Sequence, residues 1–216
     1  MIADGHHRYE TARAYADEVG GDGPHRYTLM ALTGLDDPGL TVFPTHRLLS
    51  GLADDPERQQ TLGRGIRERF EVEEVPVERL APGEEEGVGV FGYIDSHHRQ
   101  GYRLRLKDPG EIDRVLDGRP EAYRRLDTVI LEKLVLGDLL GMTEEDVAAK
   151  RGIGYAKSVE DSLALLDDGS HQVAFLLRPT PVEQVREVAA SGETMPPKST
   201  YFFPKLPSGM LFNPLA

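Results

Sequence analysis

The chain has 216 residues, of which 39% are hydrophobic and 29% are charged, a composition typical of a folded globular protein. Its formal net charge of −12, without any basic stripe, argues against a general affinity for nucleic acids or anionic membranes. The absence of cysteine excludes disulfides, thiolate metal sites and a thiol nucleophile. No apolar run approaches the roughly 20 residues of a membrane helix, and no signal peptide is recognisable. We therefore expect a cytoplasmic protein without nucleic-acid or membrane partners; the sequence leaves its oligomeric state open.

The first half of the chain alternates helical and strand patterns. Apolar residues three and four apart predict a helix that ends at Gly20 and Gly21, and a second helix in which Leu62, Ile66 and Phe70 share one face. Short apolar or alternating runs bounded by turn residues predict strands. In chain order, the predicted elements are helix 7–19, strands 27–33 and 41–43, helix 56–70, strand 72–77, and a hairpin of strands 88–95 and 102–107.

The second half begins with the most apolar segment, 126–140, which predicts a helix central to the core. Thr143 and Ser158 have the pattern of helix N-caps, and residues 173–177 predict a buried strand. Pro181 at a first helical position predicts a helix over 181–190, before a proline-rich tail at 195–216. Together these elements predict an α+β fold, with a mixed sheet and flanking helices.

The strongest chemical signal is the run Asp4-Gly5-His6-His7-Arg8, which places a turn and three basic side chains immediately before the first helix. The unpaired N–H groups of a first helical turn attract an anion, and the guanidinium of arginine binds phosphate through two parallel N–H donors. Asp4 is available to cap the helix or to hold Mg²⁺ on a phosphate. The alternative interpretation is an ordinary capped surface helix with incidental histidines.

Histidine-based metal sites find little support in the sequence. His6 and His7 are adjacent, so they do not form the i, i+4 pair of a zinc-binding helix. His97 and His98 repeat the pairing in a predicted hairpin turn. We therefore expect no metal site built from these residues.

Two further polar blocks are candidates for lining a site. Pro44-Thr45-His46-Arg47 follows a strand and again couples histidine with arginine, although it also fits an ordinary strand end. Residues 192–199 nearly spell a phosphate-binding P-loop, but Pro197 replaces the second glycine and has no N–H to donate. Lys198, Ser199 and Thr200 remain candidates for a polar cleft, with a plain surface segment as the alternative.

Three blocks together resemble the signatures of a large prokaryotic family described as a conserved domain of unknown function. They are Ala3 to Ala12, Pro44 to Arg47 and Met195 to Lys205, and they occur in the family's order. Family members are typically about twice as long, so the chain resembles their C-terminal half. The Gly-x-x-Arg helix start is also similar to that of the ParB/sulfiredoxin fold and of free serine kinases, in which such a motif holds nucleotide phosphates.

The resemblance implies that Gly5, His6, His7 and Arg8 bind the phosphates of ATP or ADP, with Mg²⁺ as cofactor. Asp4, His46, Arg47, Lys198, Ser199 and Thr200 are the residues expected to line the site. It further implies that residues 1–50 form the C-terminal part of a ParB/sulfiredoxin-like nucleotide-binding lobe. Residues 51–216 would then form a second α+β lobe whose tail, 195–216, returns to the site.

The implied function is a nucleotide-dependent phosphotransferase, similar to serine kinases, that acts on a small hydroxyl metabolite such as free serine. In the serine kinases the catalytic carboxylate precedes the helix-start motif, and no residue of this chain matches it. We therefore expect the chain alone to have little or no kinase activity, and the catalytic residues stay unidentified. The alternative is a non-catalytic nucleotide-binding or regulatory protein.

Overall fold

The computed structural model describes residues 2–207 and 209–215, and the chain divides into two compact units. Unit 1 consists of residues 1–41 and 202–216, and unit 2 of residues 42–201. The sequence predicted a boundary at residue 50, between a nucleotide-binding lobe over residues 1–50 and a second lobe over residues 51–216. That division stays a prediction.

Unit 2 is built on a six-stranded sheet with the strand order β3-β5-β4-β7-β2-β6. All five strand pairings are antiparallel, so the sheet is not of mixed direction. Two further strands, β1 and β8, form a separate two-stranded sheet. The strands are β1 (Thr41–Phe43), β2 (His46–Leu49), β3 (Phe70–Val75), β4 (Val90–Asp95), β5 (Gly101–Leu106), β6 (Ile153–Ala156), β7 (Val173–Leu176) and β8 (Tyr201–Phe203).

Helices flank this sheet, and side chains cap three of them. The Asp55 side chain accepts from the backbone N–H of Arg58, while Thr143 and Ser158 cap two later helices as predicted. The helices are α1 (His6–Val19), α2 (Pro56–Arg69), α3 (Gly110–Val115), α4 (Glu121–Arg124), α5 (Asp127–Leu131), α6 (Glu144–Ala148), α7 (Val159–Asp167) and α8 (Val182–Ala190).

The apolar segment predicted as one helix, 126–140, is interrupted. After α5 the chain continues as a π-helix over Glu132–Gly137, in which Leu134, Val135 and Leu136 are buried. Wider turns of this kind are rare and occur often at functional sites. The segment supplies much of the main core of unit 2, which also contains Phe91 and Phe175 from the sheet.

Unit 1 contains α1, the extended segment 27–40 and the C-terminal tail. The strand predicted at 27–33 is wrong: this segment has no regular structure and its large apolar side chains are exposed. The apolar run had indicated burial, but a strand forms only where a neighbouring strand satisfies its backbone groups. Helix α1 agrees with the prediction, although it buries none of its residues.

The other predicted elements agree with the structure to within a few residues, and the α+β class with helices flanking a sheet is confirmed. Within residues 2–207 and 209–215, no helix has the length and apolar character needed to span a membrane.

Candidate functional site

The run 4–8 opens helix α1 with a glycine in the left-handed conformation. Gly5 has a φ of 83° and receives no side-chain cap. A Cβ at this position would lie 2.8 Å from Nη2 of Arg8, because the guanidinium folds back over the glycine. The left-handed conformation favours glycine here, whereas the guanidinium is the mobile end of an exposed side chain and could move away from a Cβ.

Three charged side chains of unit 1 meet beside Gly5. The carboxylate of Asp4 accepts from Nη2 of Arg8 at 3.0 Å and from Nζ of Lys205 at 2.7 Å. These contacts, with the Lys205 hydrogen bond first, lower the pKa of Asp4 below its ordinary value. The cluster holds two cations for one carboxylate, so its formal charge is +1 in a chain of net charge −12.

Asp4 therefore does not cap α1, which corrects one of the two roles considered for it. The first turn of α1 contains no acidic residue, and its first backbone N–H groups have no intrahelical acceptor. His6, His7 and Arg8 are all exposed, and His7 approaches Glu10 at 3.4 Å. The helix start thus combines backbone donors with accessible basic side chains, an arrangement that suits an anion.

An open groove of about 520 Å³ runs along α1 from this cluster. His7 and Arg8 line one end, and most of the remaining lining is apolar. The other lining residues are Thr11, Ala12, Tyr15 and Leu215. Residues 7 and 15 are roughly 12 Å apart along the axis, at 1.5 Å per residue.

The second predicted block, Pro44–Arg47, begins a central strand of unit 2. The side chain of Arg47 is completely buried. Its Nη1 donates to the carbonyls of Thr45 at 2.7 Å and Lys198 at 3.0 Å, and its Nη2 donates to Oε1 of Glu132 at 2.9 Å. The guanidinium also lies 4.9 Å from the ring centre of Tyr155. Nε of Arg47 is buried and has no partner within the described residues.

His46 is almost fully buried beside Arg47. Its Nδ1 accepts from the backbone N–H of Leu177 at 3.1 Å. Burial, and secondarily the neighbouring Arg47 charge, lower the pKa of His46 to about 4. The imidazole is therefore neutral at pH 7 and carries its proton on Nε2.

The block Lys198–Thr200 lies next to Arg47 within unit 2. Lys198 has a φ of 59°, a left-handed conformation that is uncommon for residues other than glycine. Its side chain is exposed, while its carbonyl accepts from Arg47. Ser199 is buried and bonds to Pro196, whereas Thr200 is half-buried. Two predicted blocks are thus joined, through Arg47 and the Lys198 carbonyl.

The predicted residues accordingly form two clusters, one in each unit. Asp4, Gly5 and Arg8 belong to unit 1, and Arg47 and Lys198 to unit 2. Lys205 of the tail contacts Asp4 within unit 1, whereas the approach of Lys198, Ser199 and Thr200 to the helix start stays a prediction. Sequence reasoning gave no role to Lys205, Glu132 or Tyr155, and Glu132 is not distinctive in the sequence, since Asp127, Lys133 and Asp138 also interrupt the apolar run 126–140.

The described residues do not form a metal site made of protein ligands alone, and Mg²⁺ stays an expected cofactor. They contain no group of three acidic or histidine side chains placed to hold a metal ion, and both oxygens of Asp4 already accept from cations. His98 instead bonds to Asp95 in the hairpin turn between β4 and β5. We therefore assign Mg²⁺ no residue of this chain.

Several solved structures resemble the chain in fold. A conserved hypothetical protein from Pyrococcus furiosus aligns with a TM-score of 0.50 and 20% identity, covering 93% of this chain and 68% of that one. Two mutants of free serine kinase, each in complex with AMP, align with TM-scores of 0.51 at 16% and 17% identity, covering 93% of this chain and 66% of theirs. The chain spans about two thirds of the length of these proteins, and the likeness is one of fold.

No curated protein matches the sequence. A family model described as "Protein of unknown function (DUF1015)" matches residues 1–129, which is more than half of the chain. This match includes the helix-start run and the block at Pro44–Arg47. The chain therefore belongs to the DUF1015 family.

Proposed function

We propose that the chain binds ATP or ADP through its helix start, as part of a phosphotransferase that acts on a small hydroxyl metabolite such as free serine. The observation that carries this proposal is the cluster at Gly5, where the basic side chains of Arg8 and Lys205 lie beside the start of α1. The free serine kinase structures that share the fold contain AMP or ADP, which supports a nucleotide as the ligand.

In this proposal each residue of the helix start has a distinct role. Gly5 supplies the left-handed turn at the helix start and, without a Cβ, leaves the backbone accessible to a phosphate. Arg8 and His7 donate to phosphate oxygens, while Asp4 holds Arg8 and Lys205 near one another. The groove along α1 begins at His7 and Arg8, and Tyr15 and Leu215 offer an apolar surface for the base.

The binding step is tested by isothermal titration of ATP, ADP and AMP into the purified chain. Arg8→Ala is expected to weaken ADP binding by about 1.5–3 kcal/mol, the range of a charge-assisted hydrogen bond, or roughly 10- to 150-fold. Arg13→Ala is the matched control, because Arg13 lies on the same helix and pairs with Asp17 one turn on. Equal ADP affinity for the wild type and Arg8→Ala would refute the phosphate role.

A second candidate function, nucleotide binding without turnover, is favoured by the lowered pKa of Asp4. Phosphoryl transfer to a hydroxyl needs a group that accepts its proton. Asp4 is the one carboxylate of the helix-start run, and its lowered pKa makes it a weak base. The chain, incubated with Mg²⁺, L-serine and ATP or ADP, is expected to yield little or no phosphoserine by mass spectrometry. Turnover near 1 s⁻¹, ordinary for a kinase, would exclude this candidate.

A further inference from the structure

Unit 2 contains a small cavity of about 240 Å³, which we call the Arg125 cavity. Among the described residues that line it, Arg125 is the one with a polar side chain. Val88, which is 43% exposed, lies at its opening. The buried part of the lining consists of Gly89, Ile112 of α3 and Ile130 of α5.

The lining favours an apolar occupant over water. Gly89 uses both of its backbone groups: its N–H donates to Oδ1 of Asp127 at 2.8 Å, and its carbonyl accepts from the N–H of Leu106 at 3.0 Å. A buried water typically makes about three hydrogen bonds to polar groups, and the side chains of the buried lining offer it none. An apolar group that enters the cavity instead removes its own surface from water.

The volume limits the size of the occupant. A cavity of roughly 150 Å³ with an apolar lining binds benzene, which has six carbon atoms. In proportion, the Arg125 cavity accommodates about ten non-hydrogen atoms. This number is too small for a nucleotide, and the lining residues differ from those of the groove along α1.

The contacts of Arg125 indicate the charge of the occupant. Its Nη2 donates to Oδ2 of Asp113 at 3.4 Å, and its Nε lies 3.7 Å from Oε1 of Glu121. Both distances exceed the 2.7–2.9 Å of a good charge-assisted hydrogen bond. Asp113 has a closer partner in Arg124 at 3.1 Å, and Glu121 is 73% exposed. A ligand carboxylate can therefore bind the Arg125 guanidinium more closely than either acid does, whereas a ligand ammonium would be repelled.

We propose that the Arg125 cavity binds a small monocarboxylate with an apolar body of about eight carbon atoms. The body packs against Gly89, Ile112 and Ile130, and the carboxylate accepts from the guanidinium of Arg125. This site goes beyond the proposed phosphotransferase function and does not depend on it, because its ligand is neither a nucleotide nor a phosphate.

Three small compounds of matched shape test the proposal with the wild-type chain. Phenylacetate has ten non-hydrogen atoms, phenylacetamide has the same shape without charge, and 2-phenylethylamine carries a positive charge. Each is titrated into the ¹⁵N-labelled 216-residue chain, and binding is followed by two-dimensional NMR. We expect saturable shifts of the Gly89, Ile112 and Ile130 amide signals with phenylacetate. Phenylacetate is expected to bind at least tenfold more tightly than phenylacetamide, and 2-phenylethylamine is expected to give no saturable shift.

Three variants separate the charge of Arg125 from the shape of the cavity. Arg125→Met keeps an unbranched side chain, so it is expected to weaken phenylacetate binding at least tenfold and phenylacetamide binding less than twofold. Arg114→Met is the matched control, because Arg114 is exposed and pairs with Asp108 outside the cavity, and it is expected to change both affinities less than twofold. Val88→Trp fills the opening and is expected to abolish binding of both compounds.

The comparison of acid, amide and amine in the wild type needs no variant, so it decides the question even where a variant does not fold. Equal affinities for phenylacetate and phenylacetamide, or a phenylacetate affinity that folded Arg125→Met leaves unchanged, would overturn the assignment of a carboxylate to Arg125. The absence of saturable shifts at Gly89, Ile112 and Ile130 would overturn the site itself.

Discussion

Glu132→Gln removes the negative charge that faces the completely buried Arg47. The Arg47 side chain has no exposed surface and Glu132 is only 17% exposed, so water cannot replace the lost charge. Breaking a buried ion pair by removing one partner costs about 3–5 kcal/mol. Glutamine retains an oxygen that accepts from Nη2, and the Thr45 and Lys198 carbonyls remain in place. We therefore expect the free energy of unfolding to fall by about 2–3 kcal/mol.

Glu145→Gln is the matched control, because it makes the same substitution in an exposed pair. Oε1 of Glu145 accepts from Nη2 of Arg151 at 3.0 Å, with the two side chains 83% and 53% exposed. Such surface pairs contribute about 0–1 kcal/mol. The two variants thus differ in the burial of the arginine rather than in the chemistry of the change.

Urea denaturation followed by far-UV circular dichroism measures both losses, since the chain has no tryptophan for fluorescence. On an Arg47→Met background, Glu132→Gln is expected to cost less than about 0.5 kcal/mol, because no buried cation is left unpaired. Equal losses for Glu132→Gln and Glu145→Gln, or the same loss on both backgrounds, would refute the assignment of Glu132 as the counter-charge of Arg47.

Two further predictions concern His46 and Gly92. The pKa of His46 is about 4 in the folded chain and about 6.5 in the unfolded chain. Between pH 4 and pH 6.5 the unfolded chain therefore binds more protons at His46 than the folded chain does. The free energy of unfolding should consequently fall as the pH drops from 6.5 to 4. The slope should approach 1.4 kcal/mol per pH unit, and His46→Gln should flatten it in denaturation curves. Gly92→Ala should cost about 3 kcal/mol, since its Cβ would lie 1.9 Å from the Leu80 carbonyl oxygen. Gly63→Ala, where the nearest atom is 3.5 Å away on the flexible Arg67, should be neutral or stabilising in the same assay.

Local signals predicted the elements whose stability is local. The caps at Thr143 and Ser158 form as expected, because the capping side chain and the N–H it accepts from are three residues apart. The hairpin of β4 and β5 was also predictable, because its strands alternate and are separated by a short turn.

The sequence-based predictions failed where contacts between distant parts of the chain determine the structure. The run 27–33 has the composition of a buried strand, yet in unit 1 it finds neither a strand to pair with nor a core to enter. The π-helix at Glu132–Gly137 was not predictable from apolar periodicity, which does not distinguish the two helix types. The contact of Glu132 with Arg47 joins residues 85 positions apart, beyond any spacing rule.

Arg47 and Arg8 look like equivalent cations in the sequence, but they differ in burial. Arg47 is inaccessible and uses its donors on two carbonyls and one carboxylate, so it holds β2, the π-helix and the 198 backbone together. Arg8 is 59% exposed, and the Asp4 carboxylate that it contacts also accepts from Lys205. A ligand phosphate can reach the exposed guanidinium of Arg8 from solvent, whereas reaching Arg47 would require opening the core of unit 2. Substitutions at Arg47 should therefore change stability before affinity, and substitutions at Arg8 should change affinity without changing stability.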